Sequence, residues 1–393
     1  MSEWKTYKLC EVANLSTGFP FDGHKYAKEG QRVVRGDNVT IGELRWDTDK
    51  DKRWNEPFAR AEEFSLREGD IVIGMDGSRV GRNRAQIKAD DLPLLLAQRV
   101  ACVRHNEKSL QKFLYYQIFS KNFENYIKSV HTGTSIPHVS LKQIGDFSFQ
   151  VPDLSTQRRI AGILGSLDDK IELNRRINAN LEAQAQALFR SWFVDNDNQL
   201  GNYQTKSLTD IAQYLNGLAM QKFPPESIQN SLPVLKIKEL GQGLCDASSD
   251  RCSTSIKPEY VINDGDVIFS WSGTLLVDVW CGGKCGLNQH LFKVTSDNYP
   301  KWFIFYWTKH HLDKFIRIAK DKAVTMGHIK RCDLESSEVK VPEKPILEYL
   351  DKIFTPIFDS MIAHRIENRK LSALRDTLLP KLMAGEIKIK KSY

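Results

Sequence analysis

The sequence lacks the short motifs that mark most nucleotide-handling and metal-dependent enzymes. It contains no G-x-x-x-x-G-K-[ST] stretch for a phosphate-binding loop and no G-x-G-x-x-G stretch for a Rossmann-type site. It also contains no His-Glu-x-x-His pair for a metal and no Asn-Pro-Pro-Tyr-like stretch for methyl transfer. These absences predict a non-catalytic chain that binds no cofactor and no metal of its own.

Long apolar runs and a secretory pattern of cysteines are missing as well. No segment approaches the roughly 20 apolar residues that cross a bilayer, and no apolar region follows the first residues, so we predict a cytoplasmic protein without a membrane partner. The seven cysteines follow no secretory spacing and are expected to be reduced. Cys281 and Cys285 form either half of a metal site or a glycine-bearing turn.

The composition is that of an ordinary globular protein with a mild excess of positive charge. The chain has 393 residues, of which 41% are hydrophobic and 27% are charged, and its formal net charge is +7. This length accommodates two domains, and this composition argues against disorder. The positive charge suits a polyanionic partner but does not identify one by itself.

The organising feature is an internal repeat with an offset of roughly 190 residues. Thr132–Pro152 matches Lys322–Pro342, and this match aligns His138 with His328. The further matched pairs, in chain order, are Leu9–Gly18 with Leu208–Gly217, Arg32–Arg35 with Pro233–Lys236, Glu68–Ile73 with Asp264–Phe269, and Leu96–Val100 with Leu287–Leu291. Because the order is the same in both halves, the sequence predicts a duplicated domain rather than a short-period solenoid.

Each copy carries the same series of predicted elements. In the first copy, short strands at Asp70–Ile73 and Arg99–Val103 precede a helix over Leu110–Val130, whose counterpart is Trp302–Ala319. A final strand ending in Val-Pro leads into a long helix in both copies. The fold class we predict is α+β, with two similar globular domains related by a pseudo two-fold repeat.

The two long helices share a seam of residues spaced three and four apart. The predicted pairing residues are Leu167, Ile171, Asn178, Leu181 and Leu188 in the first helix, and Met361, Asn368, Leu371 and Leu378 in the second. Either the helices pair as antiparallel, coiled-coil-like rods, or each packs on its own domain; the matching seams favour pairing. Pro345 and Pro356 predict that the first turns of the second helix are kinked or separate, and that the regular part of the seam begins near Phe358.

Candidate DNA contacts lie in loops that differ between the copies. Ser78–Arg84 contains three arginines, the usual readers of guanine, whereas the matching Ser270–Thr274 contains none. The predicted DNA-binding residues are Arg79, Arg82, Asn83, Arg84, Thr134, Ser135 and His138 in the first copy, and Ser270, Trp271, Ser272, Thr274, Lys320, Lys322 and His328 in the second. The alternatives are solvated polar loops and a purely structural role for the two histidines.

In the order and duplication of these motifs, the chain resembles the specificity subunit of a type I restriction–modification system. The resemblance covers essentially the whole length. It rests on the repeat, on the Gly-Asp strands, on the helix start at Gln157–Ala161, and on the ends Ala187–Phe193 and Leu378–Ile387. The second helix departs from the pattern, since Pro345–Tyr349 stands where the first has Gln-Arg-Arg.

The resemblance implies both an organisation and a function. Target-recognition domains are expected at residues 1–152 and 201–342, with a spacer helix and linker at 153–200 and a second spacer helix and tail at 343–393. The chain would recognise a bipartite site in double-stranded DNA and dock two subunits of a DNA adenine methyltransferase, together with restriction subunits. S-adenosylmethionine, ATP and Mg²⁺ would belong to those partners. A solitary DNA-modifying enzyme with an unrecognised site and a protein-interaction scaffold remain alternatives.

Overall fold

The computed structural model describes residues 4–133, 137–195, 201–321 and 327–387. The chain divides into two compact units. Unit 1 comprises Met1–Asp168 and Ala373–Tyr393, and unit 2 comprises Asp169–Ser372. Both divisions fall inside the two longest helices, so each of these helices contributes residues to both units. Mixed helix and sheet content confirms the predicted α+β class.

Unit 1 is built from short strands and helices that precede the first long helix. Its strands are β1 (Lys5–Lys8), β2 (Ala13–Thr17), β3 (Gln31–Val34), β4 (Ile41–Gly42), β5 (Arg53–Trp54), β6 (Ile71–Gly74), β7 (Arg84–Gln86), β8 (Leu94–Leu96), β9 (Val100–His105) and β10 (Ser148–Val151). Its helices are α1 (Leu9–Val12), α2 (Gln111–Ile118), α3 (Lys121–Val130), α4 (Leu141–Gly145) and the start of α5 (Leu154–Phe193). The sheet orders are β2-β9-β6-β7-β4, β5-β3-β8 and β1-β10.

Unit 2 repeats this architecture. Its strands are β11 (Tyr203–Ser207), β12 (Gln213–Asn216), β13 (Ser231–Leu235), β14 (Arg251–Ser253), β15 (Val261–Ile262), β16 (Val267–Ser270), β17 (Leu276–Val279), β18 (Cys285–Leu287), β19 (Leu291–Thr295) and β20 (Glu338–Pro342). Its helices are the part of α5 after Asp168, α6 (Leu208–Ile211), α7 (Ile237–Gln242), α8 (Lys301–His310), α9 (Leu312–Asp321), α10 (Arg331–Glu335) and most of α11 (Lys344–Met383). The end of α11, from Ala373, belongs to unit 1. The sheet orders are β12-β19-β16-β17, β14-β13-β18-β15 and β11-β20. The parallel pair β3–β8 recurs as β13–β18.

The repeated Gly-Asp motif starts the central strand of each unit. Gly69 and Gly265 have φ angles of 85° and 87°, which glycine adopts without the steric cost of a side chain. The carboxylates of Asp70 and Asp266 accept hydrogen bonds from the backbone N–H three residues earlier, at 2.8 and 2.9 Å. The motif therefore makes a tight turn. The strands predicted in unit 1 at Asp70–Ile73 and Arg99–Val103 are confirmed as β6 and β9, with ends that differ by at most two residues.

The single helix predicted over Leu110–Val130 is wrong, because the chain breaks into α2 and α3. The hydroxyl of Ser120 accepts a hydrogen bond from the backbone N–H of Phe123 at 3.2 Å, which caps α3 and separates it from α2. The counterpart in unit 2 divides in the same way, into α8 and α9. A seryl N-cap inside an apolar periodic stretch was the available sequence signal for this break.

The first long helix begins at a capped and buried end. Hydrogen bonds, the strongest from the backbone N–H three residues on, lower the pKa of Asp153 to about 2. Gln157 is 0% exposed, and its side chain accepts from the N–H of Leu110 at 2.9 Å and donates to the carbonyl of Lys108 at 3.0 Å. These bonds attach the start of α5 to the loop before α2. Leu347 occupies the matching position in the repeat.

The second long helix runs without interruption from Lys344 to Met383, so the expectation that its first turns form a separate helix is wrong, whereas the start of the regular seam near Phe358 stays a prediction. Pro345 lies in the first turn, where a missing N–H costs nothing. Near Pro356, the ring of Phe354 stacks on Trp302 with centroids 4.2 Å apart. Phe354 and Phe358 are 1% and 3% exposed. Burial of these rings in the unit 2 core offsets the hydrogen bond that the proline removes.

Polar side chains join α5 to α11 within unit 2. Asn174 is 0% exposed and donates to the side-chain oxygen of Asn368 at 2.9 Å. The side-chain oxygen of Asn178 lies 2.9 Å from Nδ1 of His364. From the first contact to the second, the residue number rises by four along α5 and falls by four along α11, so these segments are antiparallel. The repeat offset aligns Asn174 with His364 and Asn178 with Asn368, so the two contacts are equivalent to each other.

The other seam residues lie along the same two helices. Ile171 is 4% exposed, and its carbonyl accepts from the side chain of Asn368 at 3.2 Å. The carbonyl of Met361 accepts from the side chain of Asn178 at 2.9 Å. The remaining seam residues are half-buried and comprise Leu181, Leu188 and Leu371 in unit 2 and Leu167 and Leu378 in unit 1. The coiled-coil character of the seam stays a prediction.

Replacing Asn174 by Ala tests the contribution of this buried contact to stability. The change leaves Asn368 and Glu367, to which Asn174 donates at 2.7 Å, without these hydrogen bonds. We expect the free energy of unfolding to fall by about 1–3 kcal/mol, measured by urea denaturation of the full chain.

The neighbouring Leu173 provides the matched control, because it is 50% exposed on the same turn. Leu173→Ala should change the free energy of unfolding by no more than about 0.5 kcal/mol. Equal effects of the two substitutions would contradict a structural role for the asparagine pair.

Candidate nucleic-acid interface

In both units, the loop that follows the central strand is fastened to the segment that carries the repeated histidine. Two backbone hydrogen bonds make this contact in each copy. They are Val139 N to Met75 O (2.9 Å) and Gly77 N to Pro137 O (3.0 Å) in unit 1, and Ile329 N to Trp271 O (3.2 Å) and Gly273 N to Gly327 O (3.2 Å) in unit 2. His138 and His328 therefore occupy equivalent positions beside equivalent loops.

The side chains at this junction differ between the units. In unit 1, the carboxylate of Asp76 contacts Nδ1 of His138 and forms an ion pair with Arg99 at 3.3 Å. In unit 2, Ser272 stands at the position of Asp76, and its hydroxyl lies 3.0 Å from Nδ1 of His290. His290 is the repeat equivalent of Arg99. A carboxylate–guanidinium pair in one copy thus corresponds to a hydroxyl–imidazole pair in the other.

A cleft of about 660 Å³ opens beside this junction in unit 1. Its lining includes the basic side chains Arg35, Arg45, Lys50, Arg79 and Arg99. Two carboxylates, Asp37 and Asp76, and three aromatic rings, Phe19, Phe21 and Tyr26, also line it. The excess of cations over carboxylates gives the cleft a positive charge, which suits a polyanion.

Unit 2 has a cleft of about 690 Å³ at the corresponding place. Its lining includes the basic or potentially cationic side chains Lys236, Lys238, Arg251 and His290, with the single carboxylate Asp250. Three lining positions are equivalent in the repeat: Arg35 and Lys236, Gln98 and Gln289, and Arg99 and His290. The two clefts therefore share these positions of the fold but present different side chains, and the loop after the central strand contributes to the lining in unit 1 but not in unit 2.

Two equivalent glycines allow two backbone segments to approach closely beside each cleft. A Cβ atom on Gly18 would lie 1.9 Å from the carbonyl oxygen of Leu96, and one on Gly217 would lie 2.2 Å from that of Asn288. The next residue in unit 1, Phe19, donates its N–H to the Leu96 carbonyl at 2.9 Å. Only glycine permits this close approach of two backbone segments.

The predicted DNA-binding residues divide by exposure. Arg79, Arg82, Thr274, Lys320 and His328 are exposed, and Asn83, His138 and Trp271 are half-buried. Thr134, Ser135 and Lys322 lie outside the described residues. Arg79 and Asn83 line the unit 1 cleft, whereas Arg82 approaches Glu124 at 3.8 Å. Trp271 donates its indole N–H to Asn216 at 3.0 Å.

Three of the predicted contacts are buried side chains. Arg84 is 7% exposed, its guanidinium lies 5.4 Å from the ring centre of Phe119, and burial lowers its pKa to about 10. Ser270 is 0% exposed and donates to the carbonyl of Thr274 at 2.8 Å, which closes the loop after β16. Ser272 is 7% exposed and contacts His290. Arg84 and Ser270 belong to the packing of their units and not to the cleft linings.

Sequence reasoning overlooked most of the basic side chains in the clefts. They are Arg35, Arg45, Lys50 and Arg99 in unit 1, and Lys236, Lys238, Arg251 and His290 in unit 2. The sequence did contain a signal for four of these residues. Two of the matched segments of the repeat carry a basic residue or histidine at the same position in both copies. These are Arg35 with Lys236, and Arg99 with His290.

No metal site was found within the part of the chain that the structure describes, where no three His, Cys, Asp or Glu side chains are grouped to hold an ion. Cys281 is buried, and that burial raises its pKa to about 11. No described helix is both long enough and apolar enough to cross a membrane.

Comparison with known proteins gives a match to one family over most of the chain. Residues 1–183 and 201–374 each match the family described as type I restriction modification DNA specificity domain. The chain belongs to this family. It is thus a DNA specificity subunit of a type I restriction–modification system, the non-catalytic recognition component, which confirms the resemblance seen in the sequence.

Individual relatives agree with this assignment. The specificity subunit is 25% identical to the type I restriction enzyme MjaIX specificity subunit of Methanocaldococcus jannaschii, over 89% of this chain and 88% of that one. It is 22% identical to the type I restriction enzyme HindI specificity subunit of Haemophilus influenzae, over 98% and 100% of the two chains. Its fold is similar to the crystal structure of the S subunit from M. genitalium, with a TM-score of 0.61 and 14% identity, covering 99% of this chain and 97% of that chain.

The close approach at Gly18 predicts a strong effect of a single methyl group. Gly18→Ala in the specificity subunit should lower the free energy of unfolding by about 2 kcal/mol or more, because the new Cβ overlaps the Leu96 carbonyl and the backbone must shift. Gly23→Ala is the control, since nothing lies within 4 Å of its Cβ position. A loss at Gly23 as large as that at Gly18, in the same urea titration, would refute the close-approach argument.

The charge of the unit 1 cleft predicts how binding of duplex DNA depends on salt. Replacing Lys50 by Gln should reduce the slope of log affinity against log salt concentration by about one, because each lost phosphate contact removes about one unit. Gel-shift titrations at several salt concentrations measure this slope. Lys28→Gln is the control, an exposed lysine that does not line the cleft; a slope lowered as much by this change would count against the cleft.

Proposed function

We propose that the specificity subunit recognises a split site in double-stranded DNA, with one half-site bound at the cleft of each unit. The recognition domains are those expected at residues 1–152 and 201–342. The two long helices, α5 and α11, set the distance between the half-sites. The observation that carries this proposal is the occurrence of positively charged clefts at equivalent places in the two copies of the fold.

The pattern of sameness and difference between the clefts supports recognition of two unlike sequences. Equivalent backbone segments keep each cleft in the same place, whereas positions such as 99 and 290 carry Arg in one copy and His in the other. Phosphate contacts position a protein on DNA without reading its sequence, and side-chain contacts to base edges supply the specificity. One scaffold with two sets of side chains meets both requirements.

The long helices suit the role of a spacer because their contact is specified by polar pairing. Asn174 with Asn368, and Asn178 with His364, fix one register, and a shift of either helix would leave buried polar groups unpaired. A fixed register is what a spacer of defined length needs. Family membership further supports docking of two DNA methyltransferase subunits and of restriction subunits, which would supply the chemistry that uses S-adenosylmethionine, ATP and Mg²⁺.

The length of the helices is the variable that tests the spacer. We propose inserting seven residues after Asp168 in α5 and seven after Ser372 in α11, the two points where the division into units falls. One heptad adds about 10 Å of helix, the length of about three base pairs. With the chain assembled with its methyltransferase subunits, sequencing of methylated adenines should give the same two half-sites separated by a longer gap.

An insertion in α5 alone is the control, because it lengthens one helix without its partner and should abolish methylation rather than lengthen the gap. Altered half-sites in the doubly extended protein would show that the helices do not act as a spacer. Methyl transfer by the purified chain without partners would instead favour the solitary-enzyme alternative. A lack of salt-dependent binding to duplex DNA would favour the scaffold.

A further inference from the structure

We infer that Arg99 determines the base read at one position of the half-site bound by unit 1, and that His290 does the same for the half-site bound by unit 2. Asp76 is the positioning residue that holds Arg99, and Ser272 is the positioning residue that holds His290. This inference deepens the proposed function and rests on it. The ligand of Arg99 is a guanine edge in the major groove, and His290 reads a base through a different hydrogen-bonding pattern.

The backbone places residues 99 and 290 at the same point of the fold. Arg99 lies in the turn between β8 and β9, and its carbonyl accepts from the N–H of Met75 at 3.2 Å. His290 lies in the turn between β18 and β19, and its carbonyl accepts from the N–H of Trp271 at 3.4 Å. Each turn is therefore attached to the loop after the central strand, so its Cα position is fixed before DNA binds.

The side chain that faces residue 99 differs from the one that faces residue 290. Arg99 faces the carboxylate of Asp76 at 3.3 Å, and His290 faces the hydroxyl of Ser272 at 3.0 Å. Asp76 is itself held by its contact with Nδ1 of His138. The residue opposite is thus a carboxylate where the proposed base-reading residue is Arg and a hydroxyl where it is His. Two residues that are pre-organised to read different bases require such a difference.

The neighbouring carboxylate favours a base over a phosphate as the ligand of Arg99. Asp76 partly neutralises the guanidinium and would repel a phosphate, so the pair is a poor phosphate anchor. The Arg99 side chain is nevertheless 63% exposed, and a guanidinium has five N–H donors, so donors remain for O6 and N7 of guanine. Lys50 lines the same cleft and is suited to a phosphate. Nδ1 of His290 lies 3.0 Å from the Ser272 hydroxyl and Nε2 lies 3.4 Å from the side-chain nitrogen of Gln289, so the imidazole cannot form the same two-donor contact.

An exchange of the two pairs tests the inference. One variant carries Asp76→Ser with Arg99→His, and the other carries Ser272→Asp with His290→Arg. Each is assembled as the full chain with its methyltransferase subunits, and methylated adenines are sequenced on a library of duplexes. The first variant should alter one base position of the first half-site only, and the second variant one position of the second half-site only, with discrimination at that position changed by about tenfold or more.

Unchanged half-sites in both active variants would overturn the inference, and so would changes spread over several positions or over both half-sites. If an exchange variant gives no methylation, Arg99→Lys decides, because Lys retains the charge but not the two-donor fork. Loss of discrimination at one position in Arg99→Lys supports the inference, and an unchanged motif overturns it.

The positioning role of Asp76 has its own readout. Asp76→Ala should relax discrimination at that same single position, and Asp76→Glu should restore part of it; a uniform loss over all positions would instead indicate a structural role. Lys50→Gln is the comparison, since loss of a phosphate contact lowers methylation of all sites about equally. The motif methylated with the wild-type chain distinguishes a failure of the proposed function from a failure of this inference. A motif that is not split refutes the proposed function, whereas a split motif that none of these variants alters refutes only the assignment of residues 99 and 290.

Discussion

The backbone hydrogen bonds between the loop after the central strand and the histidine segment are the constraint on which the clefts depend. In unit 1, Val139 and Gly77 make these bonds, and in unit 2 Ile329 and Gly273 make them. They fix the direction in which the loop leaves the sheet, and the turn that carries residue 99 or 290 is attached to the same loop. Without them, the loop would carry polar side chains but hold them in no defined geometry.

This arrangement separates the requirements of folding from those of recognition. The residues that hold the scaffold are glycines, buried apolar side chains and backbone groups, and they correspond closely between the units. Some side chains at and beside the clefts nevertheless differ between the copies, since Asp76 and Arg99 in unit 1 correspond to the buried Ser272 and to His290 in unit 2. A duplicated domain can therefore present two different surfaces to DNA at little cost to its stability.

Much of the fold follows from local signals in the sequence. The Gly-Asp turns, the strands beside them and the two long helices were all predictable, because each depends on residues that are close in the chain. The helix break at Ser120 and the continuity of α11 through Pro356 depend on capping and on burial of Phe354, which periodicity does not reveal. The burial of Arg84 and the convergence of Arg35 and Arg99 in one cleft depend on tertiary contacts, and the loop arginines alone gave an incomplete site.

Hydrogen–deuterium exchange of the full chain, with and without a duplex that carries its own methylated motif, tests most directly whether the equivalent clefts hold DNA. The segments to compare are Gly36–Lys50 and Asp76–Asn83 in unit 1, and Lys236–Lys238 and Asn288–His290 in unit 2. The account predicts slower exchange in the segments of both units when the cognate duplex is bound. With a duplex in which one half-site is scrambled, the slowing should be smaller and should be confined to one unit. Protection restricted to α5 and α11, or to surfaces away from both clefts, would contradict it.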